Sequence, residues 1–312
     1  MSWIALATYR QAGFSKPALV WEKSLYDLNE AKEAGLAGVK DEWLHGGWLA
    51  FLQHWDQGQH WLKKIVPEVE KLVASRALSP IKGNEGAAAP YIAQRIFCVA
   101  SNYAKHANEM GTVLAAKAQS KPYMFLKLSN TVVGDGDIVQ MPSETAQLDW
   151  EVELAAVIGK RCRRISVEDA LDAVACYTII NDVSARDLNL RSDYPFKHDW
   201  FQGKCHDTFA PIGPWLVPSW QIPDPQSVHM QLDVNGQTMQ ADTTANMIWT
   251  VREQIAYLST IVTLEPGDII ATGTPTGVGM ARGIFLKAGD KMVASVEGIG
   301  TLSNEVHAEV VQ

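Results

Sequence analysis

Past Pro90 the chain is cut into short apolar runs by glycine, proline and aspartate, and this punctuation constrains the fold more than any other feature. RIFCVAS, PYMFLKLS, LAAVIG, YTIIND, VHMQLDVNGQTMQ, GDIIATG and DKMVASV have the length of strands rather than of buried helices. Asn235-Gly236, between two alternating segments, spells a two-residue hairpin. Pro266-Gly267-Asp268 and Gly289-Asp290 mark turns beside neighbouring strands. Many short strands with few helical patches point to a closed or folded-over sheet.

The first 90 residues read differently. WIALATY and PALVWE look like strands joined by a turn at Gly13, and the pattern then turns helical from about Leu25 to Ser75. Trp48, Leu52, Trp55 and Leu62 are its apolar anchors, and Pro67 is expected to open a new helix. SPIKGNEGAAAP, residues 79–90, has little to bury and reads as a linker. The expected division is an N-terminal domain with linker over 1–85 and a second domain over 86–312.

Charge narrows the function. Lys and Arg number 27 against 35 Asp and Glu, a net charge of -8, so a phosphate backbone is a poor partner. No apolar run approaches the length of a membrane span, and the four scattered cysteines fit a reducing cytoplasm.

The chemistry-bearing residues cluster in a few segments. In DWEVELAAVIG, Asp149, Glu151 and Glu153 alternate with Trp150, Val152 and Leu154, so one strand face carries three carboxylates just before a fully apolar stretch. Such crowding needs a cation or raised pKa values, unless the face is simply solvated. YTIIND ends at Asp182, which can join Glu151 and Glu153 as an oxygen ligand for magnesium, manganese or calcium. An Asp182–Arg186 ion pair is the plainer alternative. On a helix, His106 and Glu109 share a face, an arrangement that raises imidazole basicity. A structural histidine is the competing reading. Gly111 ends that helix and leaves TVLAAKAQSK as a mobile segment. Lys127 and Lys204 sit in apolar or Gly-flanked settings, where a buried ammonium needs an anion unless it snorkels to the surface. GTPTGVG lacks the order of a nucleotide-binding loop, but it places Thr274 at a strand end where a backbone-lined anion pocket can form.

Taken together, NYAKHANE, PYMFLK, DWEVELAAVIGK, YTIINDVSARD, the GK of FQGKCHDTFAPIGPW, VNGQTMQ, LEPGDIIATGTPTGVG and a late GD closely resemble the fumarylacetoacetate hydrolase family, from about Arg95 to Val306. The resemblance implies an α+β, mainly β fold, a mixed β-sandwich roll with a smaller α/β N-terminal domain, assembled as a homodimer. It implies magnesium or manganese on Glu151, Glu153 and Asp182, and a water-activating dyad of His106 and Glu109 on a lid helix. Lys204 would stabilise developing negative charge, with Lys127, Arg186, Asn189 and Thr274 contacting a small oxo-acid substrate. Asn189 stands where family members often have Gln, and LRSDYPFKHDW is expected to help build the pocket.

The expected activity is hydrolysis of a carbon–carbon bond in an acylpyruvate-like 2,4-dioxo acid. An isomerase or decarboxylase of a related oxo-diacid is the alternative. A silent, metal-braced dimer is a third reading from another class.

Overall fold

The computed structural model describes residues 3–82 and 86–310, so residues 83–85 of the expected linker lie outside the described residues. Ile4–Gln11 (β1) and Phe14–Trp21 (β2) form the expected hairpin around Ala12-Gly13, both at positive φ (52° and 77°). Ser24–Asp27 (β3) adds a third strand. Helices Leu28–Glu33 (α1), Asp41–Gln53 (α2) and Trp55–Ala74 (α3) follow.

One expectation fails here: Pro67 lies inside α3 rather than opening a helix. Trp61, Leu62, Ile65 and Val69 line one continuous buried face across the proline. Packing that face outweighs the hydrogen bond that the proline removes.

After the two-residue strand Ala87–Ala88 (β4), strands alternate with short helices. The first group is Ile96–Ala100 (β5), the helix Ala104–Glu109 (α4), Tyr123–Lys127 (β6), Val132–Val133 (β7), Ile138–Met141 (β8), Leu148–Asp149 (β9) and Val152–Ile158 (β10). The middle of the chain supplies Val174–Asn181 (β11), Ser184–Ala185 (β12), the helix Trp200–Lys204 (α5), Ala210–Pro218 (β13), His229–Val234 (β14) and Gln237–Thr243 (β15). Helix Val251–Ile261 (α6), Ile269–Ala271 (β16), the short helix Gly279–Arg282 (α7), Lys291–Val296 (β17) and Gly300–Ala308 (β18) complete it. The hairpin β14–β15 turns on Asn235-Gly236, both left-handed (φ 51° and 78°), as the dipeptide requires.

The large sheet runs β3-β2-β1-β13-β11-β10-β16-β5-β6, with β4 on β1 and β7 on β13. A second sheet runs β15-β14-β17-β18-β8. This is the mainly β, α+β architecture expected. The N-terminal strands continue the large sheet through β1 on β13, where Leu6 pairs with Leu216.

Two cores follow from strand alternation. Trp150, Val152, Leu154, Tyr177 and Ile179 face the second sheet and α6. Ala155, Val157 and Ile180 face the opposite way, into a core with Leu6, Trp43, Trp48, Phe51 and Leu62. Among the described residues, no helix is long and apolar enough to cross a membrane.

Trp48 ties α2 to the sheet, because its fully buried indole N–H donates to the Ala7 carbonyl at 2.6 Å. Trp48→Ala should therefore lower the unfolding free energy by about 3–5 kcal/mol in chemical denaturation.

Candidate active site

Strand register assembles the carboxylates. β10 and β11 are antiparallel with Val152 opposite Asn181, and the Asp182 amide donates to the Glu151 carbonyl at 2.9 Å. Glu151, Glu153 and Asp182 are consequently brought together, with one oxygen from each within 4.8 Å of the others, all buried. Asp149 is fully buried as well but turns elsewhere.

Three buried cations meet these four acids. Arg186 bridges Asp149 (2.8 Å) and Glu151 (2.5 Å). Lys204 reaches Glu151 and Asp182 at 2.8 Å each and also donates to the Asp182 carbonyl. Lys127 bonds Asp182 and the Val183 carbonyl. The plain Asp182–Arg186 pair is thus replaced by an Asp182–lysine pairing.

The electrostatics are uneven. Burial pushes Glu151 up, but Arg186 and Lys204 outweigh it and hold the carboxyl far below the usual range. Burial also works against the Lys204 charge, and Asp182 and Glu151 reverse it, raising that ammonium's pKa. Among the described residues, Glu153 accepts one hydrogen bond, from the Gly273 amide at 2.7 Å. Burial first, then Asp182 and Glu151, push it well above the ordinary carboxylate value. An all-oxygen set with one uncompensated carboxylate fits a divalent cation, which would offset both burial and like-charge repulsion.

Beside this cluster, α4 carries His106, 5% exposed, with its Nδ1 at 2.9 Å from Glu109. Glu109 also accepts from the Thr276 hydroxyl (2.6 Å) and the Gly277 amide (2.9 Å). Burial raises this carboxyl's pKa, and the bonds from His106, Thr276 and Gly277 more than reverse that, leaving it below its ordinary value. Gly111, at φ 68°, follows the helix end as expected.

The segment after β16, a loop running into the short helix at Gly279, answers the anion-pocket expectation in an unforeseen way. Its amides bind the protein's own carboxylates: Gly273 holds Glu153, Gly277 holds Glu109, and Gly279 and Met280 hold Asp149. Glycine and threonine density was the available signal, but sequence alone does not say which anion a loop will meet.

His106, Glu151, Glu153, Asp182, Arg186, Asn189, Lys204 and Thr274 line one cavity of about 610 Å³. Lys127 stands behind Asp182, and Arg186 is spent on Asp149 and Glu151, so the two cations expected to meet substrate are held by protein carboxylates. Thr274 donates to the Val152 carbonyl and accepts from Gln240. The Asn189 side-chain oxygen is buried and has no hydrogen-bond partner among the described residues. Its amide packs against Gly203, where an added Cβ would lie 1.7 Å from that oxygen. From LRSDYPFKHDW, Leu190, His198 and Trp200 do line the cavity. Nothing in the residue pattern pointed to the remaining apolar wall, which includes Leu114, Tyr123, Phe125 and Trp249.

The fumarylacetoacetate (FAA) hydrolase C-terminal family matches residues 95–307, and the chain belongs to that enzyme family. It is 43% identical over 261 residues to an oxaloacetate tautomerase of Bacillus subtilis, covering 82% of each chain. A 2,4-didehydro-3-deoxy-L-rhamnonate hydrolase of Sphingomonas is 38% identical over 260 residues, covering 78% of this chain and 87% of the relative. Among solved structures, a fumarylpyruvate hydrolase from Pseudomonas aeruginosa in complex with Mn2+ and pyruvate aligns with a TM-score of 0.62 and 34% identity, covering 73% of this chain and 94% of that one.

The imbalance within the cluster makes a sharp prediction for metal-free protein. Glu153→Gln replaces a carboxyl whose charged form burial, Asp182 and Glu151 disfavour, and should leave thermal stability unchanged or higher. Glu151→Gln leaves Arg186 and Lys204 underpaired, and should cost about 3 kcal/mol or more. Equal melting temperatures for the two variants would contradict the charge assignment.

Proposed function

We propose that this protein hydrolyses a carbon–carbon bond in an acylpyruvate-type 2,4-dioxo acid. The observation that carries this reading is the formed His106–Glu109 pair, with His106 on the same cavity as Glu151, Glu153 and Asp182. A magnesium or manganese ion held by these three carboxylates would supply Lewis-acid polarisation at the 2-oxo acid end.

The protein groups divide the remaining work. Glu109, held ionised by its donors, accepts a hydrogen bond from His106 Nδ1–H and leaves Nε2 free to take a proton from water; the hydroxide adds to the remote carbonyl, whose collapse to the carboxylic acid breaks the carbon–carbon bond. Glu109 then stabilises the imidazolium, which returns a proton to the departing carbon. Lys204 pairs with both Glu151 and Asp182 at close range. To stabilise negative charge on the substrate it must release one of those bonds. Asn189, with its oxygen unpartnered, offers hydrogen bonding to the substrate, and Thr274 shapes the wall beside it. Lys127 and Arg186 act through the carboxylates they hold. The cavity volume and its wall of Leu114, Tyr123, Phe125, Trp200 and Trp249 leave room for an acyl chain beyond the oxo acid.

A second reading, tautomerisation or decarboxylation of an oxo-diacid, draws support from the Bacillus subtilis tautomerase relative. There the dyad would move a proton at carbon without activating water. A panel of 2,4-dioxo acids and oxaloacetate, assayed with Mg2+ or Mn2+ and with product identification, separates the two. For the hydrolase, His106→Ala and Glu109→Gln should each lower acylpyruvate cleavage about 10²- to 10⁴-fold, and the losses should not add. Wild-type protein that converts oxaloacetate alone would overturn the hydrolase reading.

The proposal includes a homodimer. β6 ends the large sheet and exposes Tyr123 and Leu126, with Leu128 just beyond, an unpaired apolar edge of the kind that proteins cover. Sedimentation should give about twice the 34.3 kDa chain mass, and a charged replacement such as Leu126→Lys should shift it toward monomer.

A further inference from the structure

Thr276 does not touch the cavity, yet its hydroxyl stands two hydrogen bonds from the catalytic imidazole: Thr276 to Glu109 Oε2 at 2.6 Å, and His106 Nδ1 to Glu109 Oε1 at 2.9 Å. The platform beneath that hydroxyl is rigid. At Gly277, φ is 109° and an added Cβ would meet the Met239 carbonyl oxygen at 2.2 Å, so the backbone lies tight against β15. The Gly277 amide reaches both Glu109 oxygens, at 3.0 and 2.9 Å. The Glu109 carboxylate is therefore gripped from a fixed surface on one side and faces the imidazole on the other.

The helix that carries the dyad has little else to hold it. α4 has six residues, no side-chain cap at its N-terminus, and only His106 and Ala107 buried. A helix this short is unstable without tertiary contacts. Its leading end is moored by Asn102, which donates to the Trp249 and Thr272 carbonyls and accepts from the Trp249 amide. Its trailing end is moored by Glu109 on Thr276 and Gly277. Beyond it, Lys117 pairs with Glu253 at 2.7 Å and lies over the Trp249 ring, drawing residues 112–121 across the cavity mouth.

We propose that Thr276 is a positioning residue that makes docking of α4 and alignment of the His106–Glu109 dyad a single event. When α4 is seated, the same bond that holds it also fixes the carboxylate that orients His106. When α4 lifts, Glu109 loses its hydroxyl donor and amide donor together, and the imidazole loses its orientation. This rests on the dyad reading above.

The test compares Thr276→Val, which keeps the shape and removes the donor, with Thr276→Ser, which restores it. Thr276→Val should lower kcat about 10- to 100-fold while KM moves less than about threefold, and Thr276→Ser should recover most of the rate. Thr276→Val combined with Glu109→Gln should be no slower than Glu109→Gln alone. Independently of any substrate, hydrogen exchange of the 104–111 amides should accelerate in Thr276→Val and not in Thr276→Ser, at an unchanged global melting temperature. Unchanged kcat with unchanged exchange, multiplicative losses in the double variant, or a Thr276→Ser protein as slow as Thr276→Val would each overturn the proposal. A wild-type protein inactive on every dioxo acid and on oxaloacetate, but showing the exchange difference, would count against the dyad reading and leave the mooring intact.

Discussion

The site depends on burying four carboxylates among three cations inside a sheet. Carrying charges out of water is expensive, and mutual attraction offsets the cost only where hydrogen bonds are complete. Arg186, Lys127 and Lys204 meet that condition for Asp149, Glu151 and Asp182, each with more than one oxygen acceptor. Glu153 is left as the surplus charge. That surplus distinguishes a cation-binding cluster from an ordinary network of structural ion pairs. It also explains why the surrounding backbone is so specific: β10 and β11 must hold one register, because a shift of a single residue would turn Glu153 of β10 into the opposite core.

Much of this was legible beforehand. Period-two alternation in DWEVELAAVIG put Glu151 and Glu153 on one face, and a strand-terminal Asp182 supplied the third oxygen. The i, i+3 spacing of His106 and Glu109 made a pair on even a one-turn helix, and Asn235-Gly236 dictated its hairpin. These are local facts, written in residues close together along the chain. The partners of Lys127 and Arg186 were not legible, because their acceptors are set by long-range strand pairing and the sequence shows charges without directions. The aromatic cavity wall was hidden for the same reason. Pro67 misled because propensity is local, whereas the buried face of α3 is a property of the assembled core.

The family relationship fits both what is common and what varies. The metal-fitting carboxylates and the dyad belong to the stretch that matches the family, residues 95–307. The helices that cover the reverse face of the sheet lie before it. They carry much of the chain's tryptophan, with Trp43, Trp48, Trp55 and Trp61 packed around Phe51 at ring separations of 4.9–6.1 Å. This aromatic block backs the strands that bear Glu153 and Asp182, through Ala155, Val157 and Ile180.

Strand β1 also sets a clock on biogenesis. Leu6 lies against Leu216, so the first hairpin leaves the ribosome long before its neighbour in the sheet has been made. At ordinary elongation rates of about 5–20 residues per second the wait is roughly 10–40 s. β4 covers Thr8 and Tyr9 early, but through that interval the Leu6 end of β1 must keep its open hydrogen-bonding edge from pairing with other nascent chains. The tryptophan-rich helices, translated immediately afterwards, are the first material able to shield its apolar face.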